Sequence, residues 1–132
     1  MKHLLSVFAL LIFLSLVKNS YSQNDEAWMY LCTSNTGEIY YLDTSSVEIS
    51  GDHINFWYKA TNIPDNSQDI RMSKERIFPA TREYITVQSF YVSYNEGISG
   101  ENFPYGEDKK AIVPRSVMET FCDYLYINYW KK

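Results

Sequence analysis

Residues 112–126, IVPRSVMETFCDYLY, restrict the possible folds more than any other stretch, because they specify one capped helix in a chain that otherwise reads as strands. Ser116 is followed three residues later by Glu119, the capping-box spacing in which each side chain satisfies the other residue's orphan backbone N–H. Pro114 lies just ahead, where a missing N–H does little harm. Val117, Met118, Phe121, Cys122 and Leu125 recur at three- and four-residue intervals, so one stripe of the helix is apolar and Cys122 lies on it. A helix this short is marginal alone and must dock on another element. The expectation is an α+β domain with a C-terminal helix packed on a β-sheet.

Upstream, alternation marks the strands. Residues 27–33 place Trp28, Tyr30 and Cys32 on one face and Met29 and Leu31 on the other. Asn35, Thr36 and Gly37 make a turn. A Tyr-rich strand over 38–42 ends at Asp43, whose carboxylate followed by Thr44 and Ser45 suits a side-chain-to-backbone turn. Residues 47–49 form a short extension, and Gly51 with Asp52 marks a reversal. The clearest strand is 53–61, with Ile54, Phe56, Tyr58 and Ala60 on a buried face and His53, Asn55, Trp57 and Lys59 opposite. Residues 62–67 read as a loop around Pro64, Asp65 and Asn66, and 68–78 as a strand with one wet face, a short helix being the alternative. Residues 83–94 have bulky groups on both faces, Ile85, Val87, Ser89 and Tyr91 against Tyr84, Thr86, Gln88, Phe90 and Val92, which predicts a central strand. Residues 95–110, with Gly97, Gly100, Pro104 and Gly106, read as the longest irregular segment. Residues 127–132 are a further edge strand or an ordered tail.

The amino end reads as a leader rather than as part of the fold. Lys2 and His3 begin it, residues 4–17 are apolar, and Ser20 and Ser22 are small residues placed for a signal peptidase, so residues 1–22 are expected to be removed. The run is shorter than the roughly 20 residues a bilayer span needs, which argues against stable membrane insertion. The expected domain, residues 23–132, is of single-core size. Without Lys2 and Lys18, its ten basic groups face sixteen acidic ones, a net charge of −6 that argues against nucleic acid as a partner. The expected destination is the periplasm, the cell surface or the medium.

In such an oxidising compartment the even cysteine count, Cys32 and Cys122, suggests one bridge, the alternative being two unpaired buried thiols. Closing a loop of about 90 residues would add roughly 4–5 kcal/mol in the chain-entropy model. No catalytic, cofactor or metal site is expected. His53 is the only histidine outside the leader and no CxxC spacing exists, which disfavours zinc. No nucleophile elbow accompanies that histidine. Glu101, Glu107 and Asp108 do not match a calcium loop. Tyrosine is abundant, and its large amphipathic surface suits recognition as well as sheet packing. Tyr40 and Tyr41, aromatics on the two faces of one strand, and Tyr94 and Tyr105, flanking the long loop, are the candidate contact residues.

The order of landmarks resembles the surface-adhesin protein E family of exported bacterial proteins. The features that carry the resemblance are Trp28, then Tyr40-Tyr41-Leu42-Asp43 with Ser46-Val47, Trp57 in the following strand, the strands over 71–78 and 84–93, and Pro114-x-Ser116 leading to Cys122. The resemblance implies an antiparallel sheet of about six strands with the C-terminal helix held against one face by a disulfide. Family members place the partner cysteine near the turn before the 84–93 strand; here Pro79 and Ala80 stand there, leaving Cys32 as the substitute. The implied function is a non-enzymatic, adhesin-like binding module for another macromolecule, a host matrix protein being one candidate, that uses its sheet face, a sheet edge or the 95–110 loop. A homodimer across an exposed strand edge is also implied. The alternative is a periplasmic enzyme inhibitor or small-ligand carrier with a pocket between helix and sheet.

Overall fold

Strand-forming runs separated by turn residues give seven strands in the computed structural model, which describes residues 27–64, 68–102 and 108–131. They are β1 (Trp28–Thr33), β2 (Ile39–Ser50), β3 (His53–Thr61), β4 (Ile70–Phe78), β5 (Glu83–Ser93), β6 (Gly97–Asn102) and β7 (Lys110–Ala111). Helix α1 (Val117–Leu125) follows and runs into a π-helical segment, Tyr126–Trp130. The strands form one antiparallel sheet in the order β1-β2-β3-β4-β5-β6, with β7 beside the first residues of β5. The architecture is α+β. The β2–β3 reversal turns on Gly51 at φ +60°, a conformation that L side chains rarely adopt. Among the described residues no helix is long and apolar enough to cross a membrane. The expected leader, residues 1–22, lies outside the described residues.

One face of the sheet and the apolar stripe of α1 make the core. Leu42, Ile54, Phe56, Ala60 and Ile77 from the sheet, with Phe121 and Leu125 from the helix, are wholly buried. Phe121 is the central contact: its ring lies 5.2 Å from Phe56, 5.3 Å from Tyr58 and 6.4 Å from Tyr40. Two further ties fix the helix across the sheet. Arg82, in the β4–β5 turn, bonds Asp123 at 2.9 Å and Glu119 at 3.1 Å, carboxylates one helical turn apart. On the opposite flank the Tyr124 hydroxyl donates to the Met29 sulfur at 3.4 Å, which reaches β1.

The helix start follows half of the capping-box expectation. The Glu119 N–H donates to the Ser116 hydroxyl at 3.1 Å, but the Glu119 carboxylate accepts from the N–H of Arg115 rather than from that of the cap residue. Ser116 instead donates its own N–H to the Val113 carbonyl at 3.2 Å. Arg115 has φ +61°, which tightens the approach and brings its N–H within reach of the carboxylate.

Three bulges change which side chains face the helix. Leu31 is an extra residue between the Tyr30–Tyr41 and Cys32–Tyr40 pairs, so Cys32 lies on the helix side rather than with Trp28, as strict alternation predicts. In β2 the ladder breaks between Asp43 and Glu48, and side chains replace it. The Asp43 carboxylate accepts from the Ser45 N–H and hydroxyl, while the Ser46 hydroxyl donates to the Asp43 carbonyl and accepts from the Trp57 N–H at 2.8 Å. The turn expected at Asp43 is therefore a bulge inside one strand. A third bulge, at Val87, places Thr86 opposite Glu75 and Gln88 opposite Lys74, so Tyr84, Thr86, Ser89 and Tyr91 share the helix side.

Three other expectations change. The wet face assigned to 68–78 is partly interior: Ser73 and Glu75 are buried on the helix side, where Ser73 bonds Ser89 and Thr86 donates to Glu75, both at 3.2 Å. Cross-strand hydrogen bonds make that burial tolerable. The segment 95–110 contains β6 and β7, because glycine at an edge does not prevent pairing to a strong neighbour. The carboxyl end continues as π-helix, with Asn128 donating to the Tyr124 carbonyl at 2.8 Å.

The expected bridge is also absent: Cys32 and Cys122 are free thiols. Cys32 meets the helix at Thr120, whereas Cys122 lies beside Arg82 at the β4–β5 turn. Positions 120 and 122 are about 200° apart around a helix of 3.6 residues per turn, so the two sulfurs sit against different flanks. No cysteine stands in the β4–β5 turn, where the family resemblance places the partner of Cys122. Burial raises both thiol pKa values, with Thr120 opposing the shift at Cys32 and Arg82 opposing it at Cys122.

Candidate functional site: the open face of the sheet

Side chains paired across antiparallel strands project to the same side, so the register determines what the sheet presents away from the helix. From β1 to β5 the successive rows are Trp28–Asp43–Trp57–Lys74–Gln88 and Tyr30–Tyr41–Lys59–Met72–Phe90. These side chains meet one another. The Lys59 ammonium lies 4.7 Å from the centre of the Trp28 ring and 5.2 Å from that of Tyr41. Tyr30 meets Tyr41 edge-on at 6.1 Å, and Trp57 stacks with Phe90 at 6.0 Å and 15° between planes. The Phe90 ring reaches over Gly100 of β6, where an added Cβ would stand 2.2 Å from ring carbon Cδ1. Glycine is therefore required there for the close approach.

Five aromatic rings with Lys59 and Lys74 make a broad half-buried platform that no described element covers. Aromatic rings of this kind offer large contact area with little ordering cost, and a lysine held between rings remains a hydrogen-bond donor. The surface is suited to recognition. His53, the one histidine of the domain, lies at its margin, bonded to Asp52 at 2.9 Å and 5.6 Å from Phe78. Its bond lowers the Asp52 carboxyl pKa. Among the described residues no group of three or more His, Cys, Asp or Glu side chains could hold a metal ion.

The structure separates the four candidate tyrosines. Tyr41 belongs to the platform. Tyr40, its neighbour in sequence, faces the helix and is 7% exposed, so it is a packing residue and not a surface contact. Its hydroxyl donates to Glu38 and accepts from Arg71, both at 3.0 Å. Burial, opposed by Arg71 and reinforced by Glu38, pushes its pKa up to about 12. Tyr94 is 73% exposed beyond the end of β5, with its N–H held by Asp69 at 2.9 Å. Tyr105 lies outside the described residues. Sequence reasoning missed Trp57, Lys59 and Phe90 as one surface. Alternation placed Trp57 and Lys59 together; the register that brings Phe90 beside them depends on the bulge at Val87.

A cleft of about 240 Å³ also opens between helix and sheet, lined by Tyr40, Tyr58, Tyr84, Val117, Met118 and Phe121 among others.

No family model and no curated protein matches the chain. Among solved structures, Haemophilus influenzae protein E superposes with a TM-score of 0.56 at 11% identity over 80% of this chain and 88% of that one. A second crystal form of it gives 0.56 at 11% identity over 79% and 90%. Protein E from non-typeable Haemophilus influenzae gives 0.51 at 13% identity over 80% and 78%. The fold is protein E-like. At such identity the likeness concerns architecture alone, and the residues of the platform are read from this chain's own geometry. The protein E-like fold accounts for the path of the sheet and the helix on one side of it.

Proposed function

We propose that the chain is an exported, non-enzymatic binding module that recognises another protein through the open face of its sheet, in the manner of an adhesin. The observation that carries this reading is the uncovered platform of Trp28, Tyr30, Tyr41, Trp57 and Phe90 with Lys59 held between rings. Aromatic anchors, Trp and Tyr above all, are typical of protein recognition surfaces. The protein E-like fold and the family resemblance of the sequence support a matrix protein as the first partner to test. The test measures binding to immobilised extracellular-matrix proteins by the chain and by Trp57→Ala and Lys59→Glu variants. Binding that weakens at least about tenfold in either variant, with circular dichroism unchanged, is expected for a contact at the centre of an interface. Equal binding by all three proteins would overturn the assignment of the face.

The cleft between helix and sheet favours a second reading, a carrier of a small ligand or an inhibitor that seats a partner's side chain there. Its volume of about 240 Å³ is below the usual range for small-molecule sites, which places this reading second.

A further inference from the structure

The two edges of the sheet are not equivalent. The β1 edge is interrupted by the extra residue Leu31, a device that disrupts strand addition, and α1 is tied to it through Tyr124 and Met29. The β6 edge lacks such a guard. Its six pairs with β5 run from Gln88–Asn102 to Ser93–Gly97 without a bulge, and among the described residues no strand pairs with its outer side. Residues 97–101 are exposed, and β6 contains neither proline nor lysine.

The two sides of this edge differ in chemistry. On the helix side Ser89, Tyr91, Ser99, Gly100 and Glu101 line a groove of about 300 Å³. The Tyr91 hydroxyl there donates to Asp69 at 2.7 Å. On the open side are Phe90, lying over Gly100, and Ile98, which is 77% exposed. Residues 94–102 include Glu96 and Glu101 and no cation, so the edge is acidic. A strand added here would send alternate side chains to opposite sides, one set toward Glu101 and the groove, the other toward Ile98 and Phe90.

We propose that the outer edge of β6 takes up an extended peptide segment in which basic residues alternate with apolar ones, the basic side chains facing Glu101 and the groove. The site rests on the reading of the chain as a binding module and adds to the open face a second surface with its own ligand chemistry. Main-chain hydrogen bonds to β6 hold the segment, and charge sets its register.

The experiment is an amide-resolved NMR titration of the full chain with a capped hexapeptide alternating arginine and valine, the length of β6. Two comparison peptides carry glutamate in place of arginine, or the same arginines with proline in place of valine. Saturable shifts are expected in β6 and the adjoining half of β5 with the arginine–valine peptide, but not with the other two. Glu101→Lys, an exposed substitution whose fold the same spectra verify, should weaken binding at least about tenfold. No binding, equal binding of the glutamate or proline peptide, unchanged binding by Glu101→Lys, or shifts centred on Trp57 and Lys59 would overturn the proposal. The matrix-protein assay with Trp57→Ala and Lys59→Glu reads the other surface, so either reading can fail while the other stands.

Discussion

Replacing Phe121 by alanine should remove more stability than any other single truncation on α1. The ring is wholly buried and touches three others, Phe56, Tyr58 and Tyr40, between 5.2 and 6.4 Å away. Truncating a buried phenylalanine to alanine costs about 3–5 kcal/mol in lost transfer energy and cavity formation. Paired rings add about 0.5–1.5 kcal/mol per contact, which places this site in the upper half of that range, about 4–5 kcal/mol. A domain of this size has a net stability of only about 5–15 kcal/mol, so the variant lies near the edge of folding. In urea, a slope of about 1.5 kcal/mol per M converts the loss into a fall in midpoint of about 3 M, followed by tryptophan fluorescence and far-UV circular dichroism. Phe90→Ala, on the half-buried open face, is the control and should lower stability by about 1 kcal/mol. A Phe121→Ala midpoint within about 1 M of the parent at unchanged slope, or no lower than that of Phe90→Ala, would refute α1 as the lid of the core.

Gly100→Ala should displace the Phe90 ring, since the new Cβ would stand 2.2 Å from it, and near-UV circular dichroism should report the lost stacking on Trp57 while the far-UV spectrum holds. Tyr40, with its pKa pushed up to about 12, and Tyr58, raised chiefly by burial, should ionise above the ordinary phenol range in an absorbance titration. Because the folded pKa of Tyr40 is raised, its stabilising contribution is complete below about pH 10 and is lost between there and about pH 12; a stability curve flat across that interval would contradict it. The intact mass without reductant should equal that of the dithiol chain, and a thiol reagent should modify half-buried Cys32 before buried Cys122.

The fold was legible in the sequence wherever one periodicity ran without interruption. The alternation of Ile54, Phe56, Tyr58 and Ala60 identified the core face of β3, and the stripe of Phe121, Cys122 and Leu125 identified the docking face of α1. What could not be read were the two places where a strand gains a single residue with no turn chemistry to mark it. Leu31 and Val87 are ordinary strand formers whose side chains give no sign of a bulge, yet they decide where Cys32, Ser89 and Phe90 point. A bulge is set by the partner strand's register, which is a tertiary property. The wet face expected of 68–78 is partly buried for a similar reason: the partners of Ser73 and Glu75, Ser89 and Thr86, lie on the next strand. Tyr40 and Tyr41 lie on the two faces of one strand, as alternation predicts, but which face the helix covers is a tertiary property, so the structure alone separates the packing residue from the surface one.

The contact between Tyr124 and Met29 joins positions 95 residues apart, whereas the hydrogen-bonded pairs of β1 to β6 all link neighbours in the chain. The ribbon can therefore zip up hairpin by hairpin with short loop closures, while its oily side stays bare until the segment from Val117 onward arrives. A chain interrupted before that point would present a completed sheet with an unroofed hydrophobic surface, so a chaperone or a protease could tell an unfinished copy from a finished one by that surface alone.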